Sequence, residues 1–178
     1  MRSAIFSGAL FAALAFSGPV LAGDQYVDSS GFAISGFDVV AYWDKEQAPV
    51  GEAQPLATPG DRSITVEYNG ATWAFATTEN RDRFLADPER YVPQFDGHCA
   101  YGVGVQQGGK VPGNPHLWRI VDDRLYLNIT ENVVGFWEEN IPGWIASADD
   151  NWNRIEDSVD ASNREIPNFT AGQAPIGG

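Results

Sequence analysis

The residues best suited to chemistry in this chain lie in one short stretch. Cys99 is the single cysteine among 178 residues, and His98, one of two histidines, directly precedes it. The second histidine, His116, follows a loop rich in Gly and Pro. Thiolate and imidazole suit copper and zinc, and a thiolate is also the nucleophile of thiol redox chemistry. The sequence therefore predicts a site centred on Cys99 as the catalytic residue, with Cys99, His98 and His116 as candidate ligands for copper or zinc.

Each of these residues also has a purely structural interpretation. Free cysteine is among the most buried residue types, so Cys99 can be a small packed side chain. His116 can be an exposed loop histidine rather than a ligand. The sequence contains no His-x-x-x-His, Cys-x-x-Cys or Cys-x-x-Cys-His spacing, so no standard zinc, redox-pair or c-type haem motif is present. A reactive Cys99 would need a cation or a helix N-terminus beside it, which the helix-forming Ala100-Tyr101 would provide.

The acidic composition limits the classes of partner. The chain has 11 Lys and Arg against 24 Asp and Glu, a formal net charge of −13. Such a surface repels the phosphate backbone of nucleic acids and the headgroups of anionic lipids. We therefore expect no nucleic-acid partner, and a small molecule or another protein remains open. A single cysteine forms no internal disulfide, which also leaves open a homodimer bridged between chains.

Residues 1–22 have the pattern of a secretory signal peptide. Met1-Arg2 supplies a positive start, residues 4–16 are almost entirely apolar, and Ala22 ends a cleavage site of small residues. The apolar run has about 13 residues, whereas a membrane helix needs about 20. We therefore expect cleavage after Ala22, a periplasmic or secreted protein, and no membrane insertion after the signal is removed.

The rest of the chain predicts hairpins and helices. Two β-prone runs, 64–68 and 71–76, flank Asn69-Gly70, which is the strongest short-range hairpin signal. Thr77 or Thr78 then caps a helix that runs to about residue 86. Residues 36–43 are predicted to form a strand, or a strand followed by a short turn of helix, and a loop follows over 44–60. The other predicted elements are a short turn of helix at 89–92, a hairpin over 116–128, a helix from Thr130 that Ile141-Pro142-Gly143 ends, and a last helix over 144–155.

These elements form an internal repeat. Thr78-Glu79-Asn80 and Thr130-Glu131-Asn132 match at an offset of 52 residues, and Phe84 and Phe136 share that offset. A lone hairpin is marginal in water, but two hairpins covered by helices can share a core. The predicted fold is therefore α+β: two β-hairpin–helix units packed into one small domain over residues 23–155, with a C-terminal helix. The Cys99 stretch is expected to connect the units, and residues 156–178 to be a disordered tail.

The first unit resembles the YHS domain. The residues that carry the resemblance are Asn69-Gly70-Ala71-Thr72-Trp73-Ala74-Phe75, Phe84 and Asp87-Pro88-Glu89-Arg90-Tyr91. In the cysteine-bearing branch of that family, two cysteines look like metal ligands. Ala76 and Asn80 stand at those positions here, and Asn128 and Asn132 at the matching positions of the second unit. The resemblance thus implies the scaffold of the domain without its thiolate ligands.

A longer stretch is similar to an exported bacterial group, the YHS domain-containing (seleno)proteins. The similarity spans roughly Ile34 to Arg154, and its motifs are Gly36-Phe37-Asp38-Val39-Val40-Ala41-Tyr42, Gly97-His98-Cys99-Ala100-Tyr101-Gly102-Val103, Leu125-Tyr126-Leu127-Asn128 and Asp150-Asn151-Trp152. Some members of the group have selenocysteine at the position of Cys99. This similarity implies a redox-active or soft-metal-binding atom at that position.

Two functions follow from these observations. In the first, the protein is a periplasmic YHS-domain protein with a thiol-redox or soft-metal site centred on Cys99; a sulfenic-acid cycle there would need an external thiol, because the chain has no second cysteine. In the second, the protein is a non-catalytic binding or accessory module in which Cys99 is structural. Asp38, an acid within an apolar run, is expected to make a structural hydrogen bond in either case.

Overall fold

The computed structural model describes residues 25–157 and Ile166. The predicted signal peptide lies outside these residues, as does most of the predicted tail, although Ile166 itself is buried. The described part is an α+β domain with two antiparallel two-stranded sheets and a long C-terminal helix, which confirms the predicted fold class. None of its helices is both long and apolar enough to cross a bilayer.

The first unit spans residues 34–91. It opens with a left-handed turn and a short 3₁₀ helix, and a long loop then leads into a hairpin and two helices. The Asn69-Gly70 turn has positive φ at both residues, 49° and 73°, as a tight hairpin requires. The elements are the 3₁₀ helix Val40–Asp44, strands β1 (Asp61–Tyr68) and β2 (Ala71–Phe75), and helices α1 (Thr78–Ala86) and α2 (Pro88–Tyr91).

The second unit spans residues 95–155 and repeats this order. Its elements are helix α3 (Ala100–Gly104), strands β3 (Asn114–Val121) and β4 (Arg124–Asn128), and helices α4 (Glu131–Glu138) and α5 (Ile141–Ile155). Asn140 caps α5 and Pro142 lies in its first turn, so the prediction that this proline ends α4 is wrong. Proline is tolerated there because the first turn of a helix needs no donor from its backbone nitrogen.

The repeat exists, but its register differs by one residue from the predicted offset of 52. Thr77 and Thr130 are the N-caps of α1 and α4, and each accepts a hydrogen bond from the amide three residues later. Aligning these two caps gives an offset of 53. The buried aromatic of each helix agrees, because Phe84 and Trp137 are both almost unexposed, whereas Phe136 is 51% exposed. The Thr-Glu-Asn match was therefore a coincidence of common helix-start residues.

The Cys99 stretch belongs to the repeat and is not a connector. Three successive residues with positive φ precede it, 95–97 (57°, 52° and 79°), and the same turn occurs at 34–36 (42°, 57° and 80°). Two residues after each turn, Asp38 and Cys99 donate their backbone amides to the chain that enters the next hairpin, at 2.8 and 2.9 Å. Cys99 therefore occupies in the second unit the place that Asp38 occupies in the first.

Residues 36–43 contain the predicted short turn of helix, but the strand before it is reduced to a single bridge. Phe37 makes one isolated bridge, and the chain then enters the 3₁₀ helix Val40–Asp44. Val39 and Val40 are completely buried, so the apolar, β-prone composition of this run reflects burial and not extended structure. The left-handed turn before it sets the chain direction, which propensity alone does not reveal.

Two hydrophobic clusters form the core, and the second hairpin contributes to both. Leu125 and Leu127 of β4 belong to the cluster of the first unit, whereas Tyr126 between them belongs to the cluster of the second. Side chains of successive strand residues point to opposite faces, so one strand fills two cores. The second cluster also contains Phe95, Val103, Trp137, Ala148 and Ile155.

The long loop of the first unit is fastened to the second unit by a buried ion pair. Arg119 of β3 and Glu138 of α4 have side chains only 7% and 8% exposed. Arg119 also donates to the backbone carbonyls of Ala48 and Pro49, and Glu138 accepts from the amide of Gly51. Every charged group of this pair therefore has additional hydrogen bonds, which a buried pair needs.

Candidate functional site

Cys99 is fully buried and begins helix α3. Its extended backbone places it at the N-cap, where its Sγ accepts a hydrogen bond from the Gly102 amide at 3.4 Å. A Cβ added at residue 102 would lie 2.7 Å from Cγ2 of Val111, so only glycine lets the chain run this close. We call Cys99, Gly102 and the neighbouring Tyr101 and Asn128 the thiol niche.

Asn128 supplies the other polar contact of the sulfur. It is the last residue of β4, is 2% exposed, and has its Oδ1 3.6 Å from Sγ of Cys99. The same oxygen accepts the Tyr101 amide at 3.2 Å, and this bond assigns the orientation of the side-chain amide. Since an oxygen faces the sulfur, the thiol is the donor in this contact. The arrangement holds a protonated thiol.

Asp38 occupies the same place in the first unit and is also completely buried. Its Oδ1 accepts the Val40 and Ala41 amides at 2.9 and 3.2 Å. Its Oδ2 accepts the Ala76 amide and Nδ2 of Asn80, both at 2.8 Å. Four donors satisfy a buried carboxylate without a cation, so we call this group the carboxylate niche. The structural hydrogen-bonding role expected for Asp38 is confirmed.

The two niches differ in the groups that face their central residue. The Gly102 amide donates to the sulfur as its counterpart does to the carboxylate, but the Tyr101 amide donates to Asn128 instead. Val133, which has no side-chain donor, stands where the first unit has Asn80. Hydrogen bonds from several donors are what stabilise a buried anion. The carboxylate niche is therefore built for a negative charge, and the thiol niche suits a neutral group.

The positions that correspond to the metal-binding cysteines of the resembling family do not fit a metal here. Ala76 has no ligating side chain, and the Asn80 amide group is directed at Asp38. In the corrected register, Ile129 and Val133 stand at these positions in the second unit, not Asn128 and Asn132. None of these side chains is a usual ligand of copper or zinc. No metal chemistry is assigned to either hairpin–helix junction.

His98 lies in an aromatic environment of its own. It is 1% exposed, and its ring centroid is 5.6 Å from that of Tyr26 and 6.1 Å from that of Trp152. Neither ring nitrogen has a partner at full hydrogen-bond distance and angle among the described residues, although the Val111 carbonyl lies close enough to favour the protonated ring. The counterpart of His98 in the first unit is Phe37, which is a core residue. His98 thus replaces an apolar ring at a buried position.

Burial lowers the pKa of His98 to about 4, and the positive charge of Lys110 lowers it further, while the Val111 carbonyl opposes the shift. Lys110 is itself only 6% exposed; its ammonium donates to the carbonyl of Glu156 and lies 5.5 Å from the Trp152 ring centroid. His98 is therefore neutral at pH 7. An imidazole that resists protonation is a poor partner for stabilising a thiolate.

His116 is used elsewhere in the fold. Its Nδ1 accepts the Ala57 amide at 3.2 Å, and its ring stacks edge-on against Phe37 at 4.8 Å. Burial lowers its pKa. His116 is therefore not an exposed loop histidine. It is half-buried and connects the long loop of the first unit to β3.

The predicted ligands do not come together as a metal centre. Among residues 25–157 and Ile166, no three His, Cys, Asp or Glu side chains form a group that could hold a metal ion. Cys99 faces Asn128, His98 faces Tyr26 and Trp152, and His116 faces the long loop. The sequence placed two candidates next to each other, but adjacent residues in an extended chain point to opposite sides.

Asn128 is the site residue that the sequence did not single out. A signal for it exists once the offset of 53 is used, because Asn128 then aligns with Phe75, a fully buried residue of the first hairpin. A buried polar residue in place of a core aromatic needs a specific partner. The correct register would therefore have pointed to the contact with Cys99.

The comparisons with known proteins identify one region. The family model of the YHS domain matches residues 55–95, which include the first hairpin, α1 and α2. Residues 55–95 are therefore similar to the YHS domain, which confirms the resemblance of the first unit. Comparison with curated proteins and with solved structures found no significant match.

Proposed function

We propose that this YHS-domain protein is a non-catalytic binding or accessory module in which Cys99 is a structural thiol. The observation that carries the proposal is the state of the sulfur: it has no exposed surface, donates to Asn128 and accepts from Gly102. A thiol with both hydrogen-bonding capacities in use inside a core contributes packing and directs the start of α3. The acidic surface, with its net charge of −13, is then the part that meets a partner.

A second candidate function is reversible thiol chemistry at Cys99. It is favoured by the equivalence of the two niches. The first unit holds a carboxylate at the place of Cys99, and the second unit keeps one of the amide donors that this carboxylate uses. In this function the thiolate attacks one oxygen of a hydroperoxide, the O–O bond breaks, and an alkoxide or hydroxide leaves while the sulfur becomes a sulfenic acid. One external thiol then attacks the sulfenic acid, water leaves, and a mixed disulfide forms with Cys99. A second external thiol attacks this mixed disulfide, which regenerates the Cys99 thiol and leaves a disulfide between the two external thiols.

Alkylation of the purified protein distinguishes these functions. Iodoacetamide at neutral pH is expected to modify native Cys99 only as fast as the protein opens, and to modify it fully in denaturant. Cys99→Ser is the control for labelling at other sites. Rapid labelling of the native protein, loss of labelling after peroxide treatment that a small thiol restores, or protection by added copper or zinc would each overturn the structural assignment in favour of the second candidate.

We also propose that the protein is exported with cleavage after Ala22. The basis is the sequence pattern of residues 1–22 alone. The mass of the protein expressed with its own N-terminus in a bacterial host is expected to match a chain that begins at Gly23, recovered from the periplasmic fraction. Recovery of the uncleaved chain from the cytoplasm would contradict export.

A further inference from the structure

Three aromatic side chains from three helices of the second unit form a partly exposed surface. They are Tyr101 of α3, Phe136 of α4 and Trp144 of α5, and we call them the aromatic face. The ring centroid of Tyr101 is 6.1 Å from that of Phe136 and 4.5 Å from that of Trp144. Phe136 is 51% exposed, while the other two are half-buried. An exposed aromatic ring that adjoins two half-buried ones forms an apolar patch, the kind of surface feature that marks interaction sites.

Hydrogen bonds between side chains and the backbone hold the elements of the aromatic face together. Nε1 of Trp144 donates to the carbonyl of Phe136 at 3.1 Å, which joins the start of α5 to α4. The amide of Tyr101 is held by Asn128. Aromatic side chains that are already ordered lose little conformational entropy on binding, and this favours their use as anchors.

The same position in the first unit is closed by the chain itself. Arg83 aligns with Phe136, and it pairs with Asp44 of the 3₁₀ helix at 2.7 Å. The guanidinium also lies 5.9 Å from the ring of Tyr91, the counterpart of Trp144. The first unit thus presents an ion pair where the second presents an exposed phenylalanine. The first unit satisfies this position with its own ion pair, whereas the second leaves an apolar ring that another molecule can contact.

In the segments that carry the aromatic face, every charged residue is acidic. Residues 99–105 and 130–148, which contain α3, α4 and the first half of α5, include no Lys or Arg. They include Glu131 and Glu139, both exposed, and Glu138, which is paired with Arg119. An apolar centre with an acidic rim is complementary to an apolar anchor flanked by basic residues. It repels anionic lipid surfaces.

From this complementarity we propose that the aromatic face docks a segment of another protein in which aliphatic or aromatic anchors are flanked by Lys or Arg. The proposal rests on the proposed function as a binding module and names the class of its partner. Phe136 is the central anchor, Tyr101 and Trp144 form the walls, and Glu139, three residues after Phe136, attracts a flanking cation.

Titration calorimetry of the full chain with three synthetic peptides tests this proposal. One peptide has a Leu-Ile-Leu centre flanked by Lys, the second replaces Lys by Glu, and the third replaces the apolar centre by Ser. We expect the first to bind at least about tenfold more tightly than either of the others, with binding that weakens as salt is added. Backbone amide shifts should change first at Tyr101, Phe136 and Trp144.

Two exposed apolar residues on different helices provide matched variants. Phe136→Arg, which copies the first unit, is expected to weaken binding about tenfold or more, whereas Leu85→Arg, at a 55% exposed residue of α1, should leave it within about twofold. Equal losses in the two variants, no preference between peptides, binding to anionic vesicles, or self-association through this face would each overturn the proposal. If the unsubstituted protein does not bind the peptide and its Cys99 is unreactive, the docking proposal is wrong and the structural role of Cys99 stands. If it binds the peptide and its Cys99 is reactive, the structural role of Cys99 is wrong and the docking proposal stands.

Discussion

The two units share one backbone arrangement but bury different polar groups at the same position. The first holds a buried carboxylate with four donors and surrounds it with apolar rings such as Phe37 and Phe75. The second holds a buried thiol between the Gly102 amide and the Asn128 side-chain oxygen, and has His98 and Asn128 where the first has those rings. Differences that cluster around one position of an otherwise repeated structure indicate where the second unit was specialised.

The contrast also shows what each niche does for the fold. Asp38 joins three separate segments, because its donors come from the 3₁₀ helix, the end of β2 and α1. Cys99 joins two, the start of α3 and the end of β4. The carboxylate niche is therefore the stronger structural joint, and the following variants test that difference from the largest effect to the smallest.

Replacing Asp38 should have the largest effect. Asp38→Ala leaves four buried donors without an acceptor, and we expect a loss of about 4 kcal/mol or more in the free energy of unfolding. Cys99→Ala removes one sulfur from the equivalent place and should cost only about 1–2 kcal/mol. Urea denaturation followed by circular dichroism measures both. Similar losses in the two variants would show that the niches are equivalent joints.

The register of the repeat is tested by the next pair. Trp137→Ala removes the buried counterpart of Phe84 and should cost about 3–5 kcal/mol, because it leaves a large cavity in the second cluster. Phe136→Ala, one residue earlier, should change stability by no more than about 1 kcal/mol, since that ring is half-exposed. A larger loss of stability in Phe136→Ala than in Trp137→Ala would support the offset of 52.

His98→Phe, which copies the first unit, should remove an acid sensitivity. The pKa of about 4 in the folded protein lies below the ordinary histidine value of 6.5, so the unfolded chain binds the proton more readily, and stability falls as the pH falls below 6.5. The natural protein should lose about 3 kcal/mol more than the variant between pH 7 and pH 4. His116 and the carboxylates are common to both proteins and cancel in the difference. Parallel pH profiles of unfolding free energy would contradict a neutral, buried His98.

Asn128→Ala should have a smaller effect than Asp38→Ala, Trp137→Ala or His98→Phe. It removes the acceptor of both the Cys99 thiol and the Tyr101 amide, and we expect a loss of about 2 kcal/mol. Since the amide oxygen favours the protonated thiol, its removal should also raise the native-state alkylation rate of Cys99. Asn132→Ala, at an exposed residue of α4, is the matched control and should change neither quantity.

Local signals in the sequence were sufficient for most of the fold. Asn69-Gly70 located the first hairpin, and the threonine caps located α1 and α4 within a residue, because turns and caps depend on the chemistry of a few neighbouring side chains. The left-handed turns at 34–36 and 95–97 were not predicted, because Ile34 and Phe95 are residues that rarely adopt positive φ. Missing these turns made residues 36–43 look like a strand.

The site was predicted less completely than the fold. Cys99 was found because it is the only cysteine, and Asp38 because an acid in an apolar run needs donors. The grouping of Cys99 with His98 and His116 was not borne out as a metal centre, since proximity in sequence says little about which way side chains point. Asn128 depends on a contact across 29 residues, which only a correct alignment of the two units reveals.

Strand β4 makes the two repeats inseparable. Leu125 and Leu127 are enclosed by the first cluster and Tyr126 by the second, so neither cluster can open without exposing residues of one five-residue strand. Cooperative units in proteins follow such shared burial and not sequence boundaries. Amide hydrogens of β2 and β4 should accordingly exchange at the same slow rate, in a single global opening event, and a fragment cut between the units should not fold alone.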